Sequence, residues 1–500
     1  MSAPVQDLLE VVPPPTMRRL GEQAFSRAAG APLVPGNGVR LLKDAGENYP
    51  AWLHAIRHAR RSIFFESYIF EEDAVGVEFA DALSERARAG VTVKLVRDWL
   101  GTWRGATRGF WKRMAAAGVD IRCYNPPRWD RPFAWMSRDH RKSIAIDGEV
   151  AFVGGLCVSQ RWLGDATRGV QAWRDTAVEL RGPGVAHVER AFAQVWAAMG
   201  PPLRDNQLTR EDDIAPAGHV ALRVVADAPS TASLFRLDQL IAVAARRTLW
   251  LTDAYFVGIS PYVEALRAAA RDGVDVRLLL PSASDIPAIQ PLSRAGYRTL
   301  LEAGVRVFEW NGSMLHAKTA VADGRWARVG SSNLNWASFV ANYELDIEIE
   351  DDALASEMET TYLDDLASST EIVLTGRHQR VRPAELPRRA RRPKGGSTNA
   401  VAAGALRAAN AVGAAVGRRR QLGPGDRRLA VGVALLLFTL ATVAIVWPRV
   451  IAWSFAFVAV WLALAVTLRT LRGSERERAQ RRDAEEKQRA CPPDPKPKAT

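Results

Sequence analysis

The sequence predicts an α/β protein of two homologous halves packed as a pseudo-dimer, followed by a C-terminal helical hairpin long enough to span a membrane. Three observations carry this expectation. The chain repeats itself: HARRSIFFESYIF (His58–Phe70), RAGVTVKLV and AAGVDIRCY recur as AARRTLWLTDAYF (Ala244–Phe256), RDGVDVRLLL and EAGVRVFEW. Gly90 and Gly273 lie 183 residues apart and Gly118 and Gly304 lie 186 apart, the near-constant offset of an internal duplication. Within each copy, short apolar runs such as VKLV and VRLLL follow amphipathic stretches that end at Gly, the alternation of helices with buried strands. Finally, Leu429–Trp447 and Val450–Leu468 are two stretches of 19 residues without a charge.

Taken in order, residues 1–35 are rich in Pro and Ala and read as a loosely packed arm, without the apolar core of a secretory signal. Residues 36–215 and 216–370 are the two α/β halves. Residues 371–428 form a basic linker rich in Pro, Arg and Ala that lacks a core-forming pattern. Residues 429–468 hold the two transmembrane helices, turned at Pro448–Arg449, and 469–500 a basic tail. Arginines crowd both flanks of the hairpin while the turn carries only Arg449, so both ends, and the body with them, are expected in the cytoplasm.

Charge narrows the function classes. The net charge of +12 is unevenly placed: residues 371–500 hold 25 basic and 9 acidic residues, about +16, leaving 42 and 46 in residues 1–370, about −4. A body that gripped nucleic acid would carry the positive excess itself, so no nucleic acid partner is expected. The basic tail suits an anionic membrane surface instead. Cys123, Cys157 and Cys491 have neither disulfide nor zinc spacing.

One motif occurs twice. His140-Arg-Lys142 leads to Asp147 and then Gly154-Gly155; His316-Ala-Lys318 leads to Asp323 and then Gly330-Ser331-x-Asn333, with identical spacing. On a strand, H-x-K puts both side chains on one face. A Lys ammonium binds a phosphoryl oxygen, and an imidazole attacks phosphorus or protonates a leaving alkoxide. Two copies facing one phosphodiester suffice without metal or other cofactor. Asp147 and Asp323 complete the catalytic set (His140, Lys142, Asp147, His316, Lys318, Asp323), although they read more as braces of the motif loops than as substrate contacts. Asn333 can donate to phosphate, where the first half has Cys157, read as a small apolar filler.

These paired motifs resemble the phospholipase D superfamily, and within it the bacterial cardiolipin synthases. The likeness extends to LLKDAGENYPAWLHAI, FFESYIFEEDAVG and WRDTAVELRGPGV, over roughly residues 35–372. It implies two phospholipase D-like α/β sandwich halves and a phosphatidyl group passed through a phosphohistidine. The acceptor is then the hydroxyl of a second phosphatidylglycerol; phosphatidylethanolamine is a further lipid partner to weigh, and hydrolysis the alternative outcome. It also implies that Asp175 and Glu344 hydrogen-bond the imidazoles, although a solvated strand-end carboxylate is the alternative for each. Asn333, Ser331 and Gly155 join them as substrate-binding or orienting positions. By the same resemblance His140 is the nucleophile and is neutral in the resting site, while His316 is protonated and acts as the acid. The C-terminal hairpin departs from the family's common pattern, in which membrane segments lie at the N-terminus. The expected location is a bacterial inner membrane.

Overall fold

A computed structural model describes residues 15–128, 137–286 and 289–374, with scattered residues between 435 and 464. Residues up to 126 and from 136 to 405 belong to one compact unit; residues 127–135 and 406–500 belong to a second.

The first half contributes strands β1 (Val34–Lys43), β2 (Ser62–Ser67), β3 (Thr92–Asp98), β4 (Asp120–Tyr124), β5 (Lys142–Ile146), β6 (Val150–Gly154) and β7 (Thr176–Arg181). The second contributes β8 (Val220–Asp227), β9 (Thr248–Thr252), β10 (Asp275–Pro281), β11 (Arg306–Trp310), β12 (Thr319–Ala322), β13 (Trp326–Gly330), β14 (Glu344–Glu350) and β15 (Ser369–Ile372). The duplication becomes a symmetry of order. Among the described residues the first half runs β1-β7-β6-β5-β2-β3-β4, and the second runs β8-β14-β13-β12-β9-β10-β11 with β15 added at the edge. An antiparallel contact of β1 with β8, at Val34↔Leu222 and Asn37↔Val220, joins the halves into one 15-stranded sheet. The repeat in the sequence gives no hint of that seam.

Helices α1 (Pro15–Ala29), α2 (Asp44–His58), α3 (Ala74–Arg88), α4 (Trp99–Thr102), α5 (Arg108–Ala116), α6 (Gln160–Leu163), α7 (Gly184–Met199), α8 (Ser233–Ala244), α9 (Ser260–Arg271), α10 (Ile289–Leu301) and α11 (Asp352–Ala367) cover the strands. Local chemistry starts and stops them. The Asp73 carboxylate accepts from the Gly76 amide to cap α3, and Gly90, at φ 90°, lets the chain leave it.

Three apolar cores result. One lies under α2, α3 and α5 of the first half, and another under α8, α9 and α10 of the second. The third lies between the halves and is filled by α7 and α11 (Val188, Phe192, Trp196, Leu354, Met358, Tyr362) against both halves' strands. Each large side chain buried there contributes about 1.5–3 kcal/mol of transfer free energy, so separating the halves would expose much of the core.

One expectation is corrected. Residues 1–35 are not wholly a loose arm: α1 lies against α8, and Phe25, Ala29 and Ala31 join the second half's core. The expected hairpin at 429–468 lies almost entirely outside the described residues. Among those described, no helix is long and apolar enough to cross a membrane.

Candidate active site

The motif aspartates explain the local fold. Asp147 and Gly148, between β5 and β6, both have positive φ (56° and 67°), as do Asp323 and Gly324 between β12 and β13 (54° and 65°). Asp-Gly is the pair that tolerates this conformation best in a tight hairpin turn. Each carboxylate then takes three backbone amides. Asp147 accepts from Arg60, Arg61 and Ser62 at 2.7–2.8 Å, and Asp323 from Arg246, Arg247 and Thr248 at 2.7–2.9 Å. Both turns lie at the end of their hairpins away from His140 and His316. The brace reading of both aspartates fits these bonds, and the spacing H-x-K-x4-D is the length of one strand, with the histidine and lysine at one end and a braced turn at the other.

At the other end the halves meet through isolated parallel bridges, Asp139 with Tyr343 and Arg174 with Leu315. The His140 amide donates to the Tyr343 carbonyl (3.0 Å) and the Tyr343 amide to the Arg138 carbonyl (2.8 Å). In the matching exchange, the His316 amide donates to the Arg174 carbonyl (2.7 Å) and the Arg174 amide to the Met314 carbonyl (2.9 Å). Each motif is thus seated beside the other half's acid-bearing segment. His140 Nδ1 lies 3.0 Å from Glu344 Oε2, and His316 Nδ1 lies 2.8 Å from Asp175 Oδ2. The pairing is crossed: each half holds the histidine of the other. Because Nδ1 is committed in both rings, Nε2 is left to meet substrate.

The remaining positions fall around these pairs. Ser331 donates to Glu344 Oε2 (2.6 Å), and Asn342 Nδ2 lies 3.3 Å from Glu344 Oε1. Gly155 contributes by lacking a side chain, since a Cβ there would stand 2.1 Å from Asp175 Oδ1. Asn333 is fully buried, and neither its side-chain nitrogen nor its side-chain oxygen has a hydrogen-bond partner among the described residues. Cys157, its counterpart, is buried and accepts from the Ile69 amide (3.4 Å); burial pushes its thiol up, as an inert filler requires. Lys142 and Lys318 are buried, lying over the rings of Tyr68 (5.1 Å) and Tyr255 (5.8 Å).

Sequence reasoning missed several neighbours. Trp162 donates to Asp175 Oδ2 (2.8 Å) and packs edge-on against His316. Tyr68 packs edge-on on His140. Arg141, the middle residue of the first motif, bonds the carbonyls of Glu344, Ala191 and Asp227, spanning both halves. The tyrosines were visible as FFESYIF and LTDAYF, but one residue out of step with the repeat.

Burial dominates the electrostatics. It pushes His140 down to about 4, with Lys142 adding to the effect against the pull of Glu344. It pushes His316 down to about 3, reinforced by Lys318, whose Nζ stands 3.0 Å from the ring. Burial alone would raise both acids, but the histidines, the lysines and the Trp162 or Ser331 donors hold Asp175 and Glu344 below the usual carboxylate range. Each pair is therefore a neutral imidazole donating Nδ1–H to a carboxylate. The expected protonated His316 is corrected: burial and the neighbouring lysines hold both histidines neutral. Burial also draws Lys318 down to about 8.

Below the ordinary value of 6.5 the unfolded chain takes up two protons that the folded site refuses until about 4 and 3, so these groups lower stability as pH falls from 6.5 to about 4. Asp238, Asp253 and Asp346, raised by burial to about 6, 7 and 6, act in the opposite direction. The histidine contribution is read as a difference. Urea melts of wild type and the His140→Gln/His316→Gln protein should converge between pH 7 and 4.5; parallel curves would contradict neutral histidines.

Two interlocked α/β halves presenting paired His-x-Lys motifs to one buried site define a phospholipase D-like protein. The family described as "Cardiolipin synthase, PLD-like domain" matches residues 52–196 and 237–366, and the chain belongs to it, as a cardiolipin synthase-like phosphatidyltransferase. A Pseudomonas aeruginosa protein named cardiolipin synthase A is 34% identical over 356 residues, 70% of this chain and 71% of that protein. A cardiolipin synthase of Alkalihalophilus pseudofirmus is 31% identical over 348 residues, 68% of each chain. The crystal structure of phosphatidylserine synthase from Haemophilus influenzae shares the fold, with a TM-score of 0.55 at 14% identity, over 71% of this chain and 92% of that one.

Proposed function

We propose that the chain joins two phosphatidylglycerol molecules, releasing glycerol, through a phosphohistidine on His140. The observation that carries this reading is the crossed pair of imidazoles, each with Nδ1 on a carboxylate and Nε2 free, among two buried lysines. The lysines and the Asn333 amide take the phosphoryl oxygens. The phosphodiester's negative charge raises both imidazole pKa values, so His316 gains its proton as substrate binds. His140 Nε2 attacks phosphorus, the bond to the glycerol oxygen breaks, and His316 gives that oxygen its proton. His316 then takes the proton of the acceptor hydroxyl, which attacks phosphorus and breaks the P–N bond.

Purified protein in mixed micelles of phosphatidylglycerol should yield cardiolipin and glycerol in equal amounts, with or without chelator. Phosphatidic acid as the product would make the protein a hydrolase, and activity lost to chelator and restored by metal would refute the metal-free route.

The second part of the reading is an anchor: a hairpin of 429–447 and 450–468 in a bacterial inner membrane, with body and tail in the cytoplasm. It is supported by the two charge-free stretches and by the exposed side chains of Leu435, Phe438, Trp453, Val460 and Leu464. Thr439 and Thr442 return their hydroxyls to carbonyls four residues back (2.8 Å each), as a polar group in lipid must. An impermeant maleimide should reach Cys491 only after spheroplasts are lysed; labelling of intact spheroplasts would reverse the sidedness.

A further inference from the structure

The loops that leave the histidine end of the sheets carry an exposed aromatic and basic surface that the chemistry does not use. Three short paths of chain lead to it. After β3, α4 packs so tightly on the loop below that a Cβ on Gly101 would stand 1.9 Å from the Tyr68 carbonyl, and Tyr68 lies on His140. Two residues on, Trp103 is 55% exposed, stacked on Trp99 at 5.2 Å with the Arg104 guanidinium over its ring. After β6, Leu163 is 42% exposed beside Trp162, which holds Asp175. After β13, Trp336 is 51% exposed next to Asn335, whose amide donates to the Tyr255 carbonyl at the His316 side. Adjacent Cα atoms are only 3.8 Å apart, so each of the three residues lies a short step along the chain from a residue packed on the histidine pairs or on their supporting loops.

The charge on the Trp103 side is one-sided. From Trp99 to Val119 there is no acidic residue, and Arg104, Arg108 and Lys112 are exposed. Among the described residues none of these three has a carboxylate partner, whereas Arg113 is held by Glu72. The body as a whole is mildly acidic, so this cluster is a local exception. Exposed tryptophans beside unpaired cations suit a water–lipid boundary, where an indole sits at headgroup depth and cations meet anionic headgroups.

We infer that this rim is a docking face for an anionic lipid surface, seating the mouth of the site on the membrane so that a phosphatidyl headgroup enters without leaving the bilayer plane. The inference rests on the functional reading above and adds the surface that delivers the substrate. A second copy of the chain is the competing occupant, but residues 99–119 hold no acid, so in a symmetric dimer this segment would meet its own unpaired cations.

The test compares the full-length protein with Trp103→Ser/Trp336→Ser and Arg104→Ser/Arg108→Ser on two forms of phosphatidylglycerol. One is a short-chain form below its micelle concentration, the other long-chain lipid in mixed micelles. Both variants should keep the monomer rate, and on micelles each should need about tenfold more surface lipid for half-maximal rate. Equal losses on both forms, or none on either, would overturn the proposal. Hydrogen exchange gives a readout independent of turnover: vesicles of phosphatidylglycerol, but not of phosphatidylcholine, should protect residues 99–112. If wild type transfers no phosphatidyl group yet shows that protection, the functional reading fails and the face stands. Protection that follows protein concentration without lipid would make the rim a self-association surface and overturn the inference.

Discussion

The His316→Ala protein, mixed with phosphatidylglycerol, is expected to accumulate a phosphatidyl adduct that mass spectrometry places on His140. Loss of His316 removes the acid of the first step and the base that prepares the acceptor for the second. Water can replace the acid at a leaving alkoxide, but the buried P–N bond waits for an acceptor that nothing deprotonates. Turnover should fall by about 10⁴-fold or more, and the His140→Ala protein should fall as far with no adduct at all. Burial lowers both imidazoles alike, so the assignment of nucleophile follows the family resemblance rather than protonation. An adduct on His316 in the His140→Ala protein, with none in the converse variant, would exchange the roles.

The crossed pairing makes the second large prediction. Glu344→Gln and Asp175→Asn should each lower turnover by about 10²–10⁴-fold, since each leaves an imidazole free to take the wrong tautomer and unsupported when it becomes charged. The two should separate on a phosphatidyl ester of nitrophenol, whose leaving group needs no proton. There the burst that reports adduct formation should be largely restored in Asp175→Asn, which serves the acid His316. It should stay slow in Glu344→Gln, which serves the nucleophile. The reverse pattern would mean that each acid serves the histidine of its own half, or that the two histidines have exchanged roles; the adduct position in the His→Ala proteins decides between these.

The duplication, the strand–helix alternation and the paired H-x-K motifs were legible because they depend on residue type and local period. A buried strand needs a run of apolar residues wherever it lies, and a phosphodiester needs cations and imidazoles whatever surrounds them. Asp175 and Glu344 were recognisable as carboxylates at a suggestive distance along the chain. Their partners were not, because the bonds span 141 and 204 positions and run between halves. Chain order would pair each acid with its own half's histidine, and only the docking of the two halves around α7 and α11 sets the crossed pairing.

Protonation was equally out of reach. The resemblance suggested one charged histidine, but desolvation outweighs a single carboxylate for both rings, and burial of that depth is a property of the assembled halves. The motif aspartates show the complementary case. Asp147 and Asp323 are fixed by sequence spacing, yet what they do depends on which end of a strand they occupy, and the hairpins place them at braced turns remote from the histidines. The sequence by itself determined the class of fold and the chemical groups brought to the reaction. Tertiary structure decided which acid serves which histidine, which groups carry charge, and which face of the body is left open, because each of these depends on contacts and burial created only when the halves close on each other.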